Sequence, residues 1–149
     1  MTKTKEDVLR LIDESGVRYV RMCITDILGR IKGMDITRSE VEQVLEEGQG
    51  FDGSSVEGFA RIDESDLMAI PDPKTFRVMP WEIDGMKVAL MFCDIQTPEG
   101  KPYDGDPRAV LHRNLKKLHD RGWTFYVGPE CEYFYFENDK GPSILDQDG

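Results

Sequence analysis

An apolar run at residues 88–95, VALMFCDI, decides the kind of fold that this chain can adopt. A strand that is apolar on both faces belongs in the middle of a sheet, where neither face meets water. Two shorter strand candidates, residues 67–70 and 75–78, precede it and are separated by Pro71 and Pro73. The pattern therefore predicts a sheet with residues 88–95 in its interior.

The N-terminal segment predicts a helix followed by a β-hairpin. Thr4 and Asp7 form a helix start of the capping-box kind, with Asp in place of the usual Glu or Gln. An apolar stripe follows, so we expect a helix over residues 5–15. Residues 17–25 and 31–36 then alternate between apolar and polar side chains, which is typical of two strands joined by a turn.

A second helix and a long loop follow the hairpin. Ser39 and Glu42 match the capping box. Val41, Val44 and Leu45 supply one apolar face of the expected helix, which ends at Gly48. Residues 48–66, GQGFDGSSVEGFARIDESD, are rich in Gly, Ser and acids and have no sustained helical or strand period. We expect a loop here, either ordered or flexible.

A change of composition at residues 97–107, TPEGKPYDGDP, indicates a boundary between two units. Asp106 and Pro107 resemble an N-cap and a first-turn proline, so a helix is expected over residues 107–120. We expect its apolar stripe to be buried, namely Leu111, Leu115 and Leu118.

The sequence after this helix, residues 123–137, has high strand propensity. The unit that begins after residue 105 thus amounts to one helix and one or two strands. Units below about 40 residues rarely fold alone without disulfides or a metal. We therefore expect the chain to break off inside a second domain.

The composition excludes several classes of protein. With 39% hydrophobic residues in 149, the chain can form a core, so neither complete disorder nor a collagenous fibre fits. A net charge of −10 without any local cluster of Lys and Arg disfavours nucleic acid and membrane surfaces as partners. No secretory signal or membrane-spanning run is expected. The three cysteines lie in apolar or alternating runs, so we expect reduced, buried thiols in a cytoplasmic protein.

Glu130 and Glu132 are the clearest chemical feature of the sequence. In a strand they would project from one face, about 6.6 Å apart along the backbone. At an effective dielectric constant near 20, two carboxylates at that spacing repel by about 2.5 kcal/mol. A divalent cation would offset this repulsion. The simpler alternative is a solvated strand face on which the two acids cost almost nothing.

A second candidate is the loop at residues 50–55, GFDGSS, which places Asp52 between glycines and beside two hydroxyls. The glycines allow close approach to a small ligand, and the carboxylate could attract a cation such as ammonium. The loop lacks the Gly-Lys-Ser/Thr ending of a P-loop, so it is not assigned to phosphate. A Gly/Ser connector with an Asx turn at Asp52 is the alternative.

These pieces, in their order and detail, resemble the glutamine synthetase family of the bacterial and archaeal type. The matching segments are residues 50–66 (GFDGSSVEGFARIDESD), 70–72 (IPD), 93–95 (CDI), 106–108 (DPR) and 128–136 (GPECEYFYF). The N-terminal helix and hairpin also fall where that family has them. Two long signatures in the right order are far more specific than either alone.

The resemblance implies an α+β fold. A β-grasp-like N-terminal domain would span residues 1–104, and residues 105–149 would begin the catalytic α/β domain of the family. It also implies an ATP-dependent ligase that phosphorylates L-glutamate and lets ammonia displace the phosphate, giving L-glutamine. The family uses two or more Mg²⁺ or Mn²⁺ ions, with ATP as a substrate, and it assembles as a homo-oligomer, a dodecamer.

The resemblance also implies roles for four residues. Glu130 matches the ligand of the cation that contacts the ATP phosphates, and Glu132 the ligand of the cation beside glutamate. Asp52 matches the acid that binds ammonium and deprotonates it, across a subunit interface. Arg61 matches the arginine through which one subclass senses glutamine. The nucleotide-binding residues are not identified.

Other family ligands for metal and substrate lie in sequence that this chain does not contain, so we expect the chain alone to lack ligase activity. Two other readings stay open. The chain could be a non-catalytic interaction module that docks onto a full-length synthetase. It could also be part of a glutamyl-polyamine ligase, although Asp52 favours ammonia over a bulky amine.

Overall fold

One mixed six-stranded sheet organises the chain. The computed structural model describes residues 3–56, 58 and 66–140. Its elements are α1 (Lys5–Ser15), β1 (Tyr19–Thr25), β2 (Ile31–Thr37), α2 (Val41–Glu47), β3 (Gln49–Asp52), β4 (Asp66–Pro71), β5 (Arg77–Ile83), β6 (Met86–Gln96) and α3 (Pro107–His119). Single 3₁₀ turns occupy Gly53–Ser55 and Pro73–Thr75.

Strand β6 lies at the centre of the sheet, as its sequence predicts. The strand order is β2-β1-β6-β4-β3, and β5 also pairs with β6. β1 runs parallel to β6, whereas β4 and β5 are antiparallel to it. Because β6 is long, one of its edges accommodates β5 and β4 in succession along its length.

A tight turn closes the β1–β2 hairpin. The buried carboxylate of Asp26 accepts hydrogen bonds at Oδ1 from the backbone N–H groups of Leu28 at 3.0 Å and Arg30 at 2.8 Å. Gly29 has a φ of +79°, which a residue with a side chain rarely adopts. The predicted hairpin is thereby confirmed.

The core lies on the face of the sheet that α1 and α2 cover. Its side chains come from both helices and from the central strands: Val8, Ile12, Val20, Met22, Ile24, Val41, Val44, Leu45, Ala89, Met91 and Ile95, with Phe76 from the connection before β5. The opposite face is only partly covered by the described residues. Trp81 is 56% exposed there, beside a cleft of about 190 Å³.

The two predicted capping boxes have different outcomes. At α1 the box is present, because Thr4 Oγ1 accepts the N–H of Asp7 and Asp7 Oδ2 accepts the N–H of Thr4. At α2 the prediction is wrong. That helix begins at Val41, and Glu40 occupies the N-cap position. The side chain of Glu40 makes no capping hydrogen bond. The hydroxyl of Ser39 lies instead 3.0 Å from the hydroxyl of Thr37.

Helix α3 forms where expected, but its apolar stripe is not buried. Leu111 is 54% exposed, Leu115 and Leu118 are half-buried, and no residue of α3 is fully buried. A helix face is buried only where another element packs on it. None of the described elements covers this one.

The chain after α3 also departs from the expectation. Residues 123–135 form no helix or strand, although their composition favours a strand, because no described strand pairs with them. Cys131 is exposed rather than buried, whereas Cys23 and Cys93 are buried as expected. Within the described residues, no helix combines the length and apolar character needed to cross a membrane.

Candidate functional site

Asp52 ends strand β3 and forms an Asx turn with the residues that follow it. Its Oδ1 atom accepts the backbone N–H of Ser54 at 2.9 Å and the hydroxyl of the same residue at 2.6 Å. Across the strand pair, Asp52 is opposite Asp66 on β4. The Asx turn predicted as the simpler alternative is therefore present, and it fixes the direction of an exposed carboxylate.

This carboxylate lies on the wall of a cleft of about 300 Å³ between β3 and the hairpin. The cleft is lined by Ile24, Lys32, Gly33, Met34, Phe51, Asp52, Ser55 and Val56. Its walls are mostly apolar, with one acid and one base among them. Among the described residues, Asp52 is therefore the one carboxylate on a mostly apolar wall that also carries the ammonium group of Lys32.

Glu130 and Glu132 lie outside any regular element. Both are exposed and stand in the irregular segment after α3, so the expected placement on a strand is wrong. Carboxylate oxygens are the donors that Mg²⁺ and Mn²⁺ prefer, and in this respect the pair fits such an ion. In the described part of the chain, no three His, Cys, Asp or Glu side chains are arranged to hold a metal. The pair would therefore supply only part of a coordination shell of about six ligands.

Arg61 lies outside the described residues. Its expected regulatory role stays a prediction.

Arg108 forms a charged cluster that sequence reasoning missed. Its Nε donates to Asp94 Oδ1 at 2.7 Å, and its Nη2 donates to Asp72 Oδ2. Nearby, the carboxylate of Asp106 is only 1% exposed; it accepts the N–H of Arg108 at 2.9 Å and that of Ile95 at 3.1 Å. The only signal in the sequence was the DPR run after CDI, and this run does not reveal the partners.

Charge pairing also joins the two strands of the hairpin. Arg21 Nε donates to Asp35 Oδ1 at 2.7 Å, and its Nη2 donates to Oδ2 at 2.8 Å. These hydrogen bonds hold the pKa of Asp35 below its ordinary value and raise that of Arg21.

On β6, burial raises the pKa of the Cys93 thiol to about 12.

The mixed sheet with α1 and α2 on one face is an α+β arrangement, and helix α3 follows it in the chain. The family model described as the glutamine synthetase beta-grasp domain matches residues 16–98, and the model of the glutamine synthetase catalytic domain matches residues 104–147. The first match covers more than half of the chain. The chain belongs to the glutamine synthetase family.

Individual relatives of the chain support the same family assignment. A glutamine synthetase of Thermotoga maritima is 46% identical over 98% of this chain and 34% of its own length. One from Mycolicibacterium smegmatis is 52% identical over 90% of the chain and 30% of its own length. The cryo-EM structure of Plasmodium falciparum glutamine synthetase superposes with a TM-score of 0.72 at 25% identity, covering 82% of this chain and 24% of that one. The chain thus spans about a third of the length of the curated relatives it matches.

Proposed function

We propose that this chain supplies the N-terminal part of an ATP-dependent ligase that joins ammonia to L-glutamate through a γ-glutamyl phosphate. The observation that carries the proposal is the family match along both parts of the chain, residues 16–98 and 104–147. In this proposal residues 1–104 are the β-grasp domain and residues 105–149 begin the catalytic domain. The working enzyme is a cytoplasmic homo-oligomer.

Asp52 is the residue that handles ammonium. Its carboxylate is held in one direction by Ser54, so it can accept a hydrogen bond from NH₄⁺ without first being ordered. Asp52 then takes one proton from the ion. The nitrogen lone pair that is freed attacks the carbonyl carbon of the acyl phosphate, the C–O bond to phosphate breaks, and inorganic phosphate leaves with the bonding electrons. The nitrogen then carries one proton more than the amide keeps, and the departing phosphate takes it.

Glu130 and Glu132 are the cation ligands that this chain contributes. Glu130 would hold the cation that serves the ATP phosphates, and Glu132 would hold the cation that serves the substrate carboxylate. Divalent ions, Mg²⁺ or Mn²⁺, neutralise charge on the transferring phosphoryl group. Arg61 is the residue through which product glutamine is sensed.

A chimeric enzyme tests the proposal. Residues 1–149 would replace the matching segment of the Thermotoga maritima relative, and glutamine formation would be followed with ATP, glutamate and ammonium. We expect activity, and we expect Asp52→Asn to lower kcat/KM for ammonium by at least about 100-fold, the size of the loss when a positioned catalytic group is removed.

The matched control is Asp66→Asn, because Asp66 is also an exposed acid and pairs opposite Asp52. It should leave the rate unchanged. For the metal ligands, Glu130→Gln and Glu132→Gln should raise the Mn²⁺ concentration needed for half-maximal rate by at least about tenfold. Glu137→Gln, in the same exposed segment, should not. An inactive chimera, or equal losses in Asp52→Asn and Asp66→Asn, would contradict the proposal.

A further inference from the structure

The tip of the β1–β2 hairpin touches the loop that follows Asp52. Gly58 in this loop has a φ of +84°, a conformation that favours glycine. A Cβ added to Gly58 would lie 2.5 Å from Ile27 Cγ2 and 2.6 Å from Ile27 Cβ, which is closer than real Cβ atoms come. The side chain of Ile27 therefore packs directly on the backbone of Gly58, and only a glycine leaves room for it.

The tight turn of the hairpin holds Ile27 in place on its side of this contact. The buried carboxylate of Asp26 accepts the backbone N–H groups of Leu28 and Arg30, which follow Ile27 in the turn. The N–H of Asp26 also donates to the carbonyl of Arg30 at 3.0 Å. Ile27 is 64% exposed, so its side chain is not needed to fill the core. A fixed turn thus presents an apolar side chain to the loop.

The same loop carries the groups that direct Asp52. Ser54 donates its backbone N–H and its hydroxyl to Asp52 Oδ1. Val56 follows with its side chain in the core, and its N–H donates to the carbonyl of Gly53 at 3.0 Å. Gly58 comes two residues later. The turn that directs Asp52 is thus anchored twice, at Val56 in the core and at Gly58 on the hairpin.

The hairpin is also one wall of the cleft on which Asp52 lies. Lys32 and Gly33 of β2 line one side of this cleft, and Asp52 lies on the other. The contact between Ile27 and Gly58 joins the elements that form these two walls. Packed side chains resist separation, so this contact limits how far the Asp52 turn can move away from the hairpin.

We propose that Ile27 and Gly58 form a positioning contact, which holds the Asp52 turn on the hairpin and so fixes where the carboxylate meets ammonium. In this role neither residue touches the ion. Without the contact the turn would open more often, and Asp52 would lose the hydrogen bonds from Ser54 that direct it. A carboxylate that must first be ordered binds its ligand less tightly. The effect on ammonium rests on the proposed function, whereas the effect on the turn does not.

Exchange of the Ser54 amide proton with water tests the effect on the turn, in the 149-residue chain itself. This proton is bonded to Asp52, and nuclear magnetic resonance measures its exchange rate. We expect Ile27→Ala to raise the rate at least fivefold, because the loop loses the atoms that support Gly58. Ile27→Val keeps Cβ and Cγ2, the two atoms nearest to the added Cβ, and should stay within twofold of the parent.

Leu28→Ala is the matched control for Ile27→Ala. It removes a similarly exposed apolar side chain from the same turn, 56% exposed in place of 64%, and should leave the Ser54 rate within twofold. An unchanged rate in Ile27→Ala, or an equal rise in Leu28→Ala, would overturn the inference. A rise in Ile27→Val as large as in Ile27→Ala would overturn it too.

The glycine side of the contact gives a second test. Gly58→Ala should also raise the Ser54 rate at least fivefold, because its Cβ would collide with Ile27. Gly85→Ala is the matched control, since Gly85 has a φ of +71° but no atom within 4 Å of an added Cβ. It should leave the rate within twofold, and equal rises in the two variants would overturn the inference. If Gly58→Ala does not fold, the Ile27 variants decide.

The chimera measures the effect on ammonium. Ile27→Ala should raise KM for ammonium at least fivefold and leave KM for ATP within twofold, whereas a loss of folded enzyme would lower kcat and change neither KM. Leu28→Ala should leave both KM values within twofold. When Asp52→Asn is already present, Ile27→Ala should not lower kcat/KM for ammonium further, because both changes act through one carboxylate.

The two measurements separate the inference from the proposed function. An inactive chimera would refute the proposed function, and the Ser54 exchange rates would still decide the effect on the turn. An active chimera in which Ile27→Ala leaves KM for ammonium unchanged would overturn the inference and leave the proposed function standing.

Discussion

Replacing Asp106 by alanine should cost more stability than almost any other single polar substitution in the described chain. The carboxylate caps α3 through the N–H of Arg108 at 2.9 Å, and loss of an N-cap costs about 1 kcal/mol. It also accepts the N–H of Ile95 at 3.1 Å, and Ile95 is itself only 1% exposed. A buried N–H left without an acceptor costs about 1–3 kcal/mol. The sum is a loss of about 2–4 kcal/mol in the free energy of unfolding.

Urea unfolding followed by far-UV circular dichroism measures this loss. Asp106→Asn keeps one of the two acceptor oxygens and should lose about half as much. Asp104→Asn is the control, since Asp104 lies in the same loop and is 99% exposed. The reasoning would be refuted if the unfolding free energy of Asp106→Ala lay within about 0.5 kcal/mol of that of Asp104→Asn. Ordinary surface substitutions change stability by no more than this.

Three further results are expected. The arginine partner of Asp35 lowers the pKa of its carboxyl group. The resulting contribution to stability is present above the unfolded pKa near 4 and is lost as the pH falls through the folded pKa. Urea unfolding at pH 5 and at pH 3 should therefore show a smaller drop in unfolding free energy for Asp35→Asn than for the parent. A thiol reagent followed by absorbance should modify only Cys131 in the native chain, and should modify Cys23 and Cys93 as well in denaturant. Rapid modification of all three thiols in the native chain would contradict the burial of Cys23 and Cys93. Gly16 has a φ of +68°, so Gly16→Ala should lower the unfolding free energy by about 1 kcal/mol, and an unchanged urea midpoint would contradict this.

Local signals in the sequence were sufficient for most of the fold. The cap at Thr4, the turn at Asp26 and the apolar run of β6 each involve residues close in sequence or a simple period, so pattern reading predicted α1, the hairpin and the central strand. Ser39 shows the limit of this approach. A hydroxyl can bond several neighbours, and here it meets Thr37 rather than the helix.

Features that depend on distant partners could not be predicted in this way. The Asx turn at Asp52 could be named from the sequence as an alternative to a ligand site, because its acceptor and donor are two residues apart. Arg108 was missed as a centre of contacts because Asp72 lies 36 residues away in sequence. The exposure of Leu111 was missed for the opposite reason: its stripe is periodic, but periodicity does not say whether another element is present to cover it.

The central position of β6 has a consequence for how the chain folds. β6 is the last of the described strands, yet it is the parallel partner of β1 near the N-terminus, with Tyr19 opposite Val88. Such non-local pairing requires a long loop to close before the contacts that stabilise it can form. This requirement slows folding. During synthesis the β1–β2 hairpin can form early, but its inner edge stays unpaired until residue 92 has left the ribosome. The sheet can therefore be completed only after β6 has been synthesised, so a chaperone that covers that edge in the interval should raise the yield of folded protein.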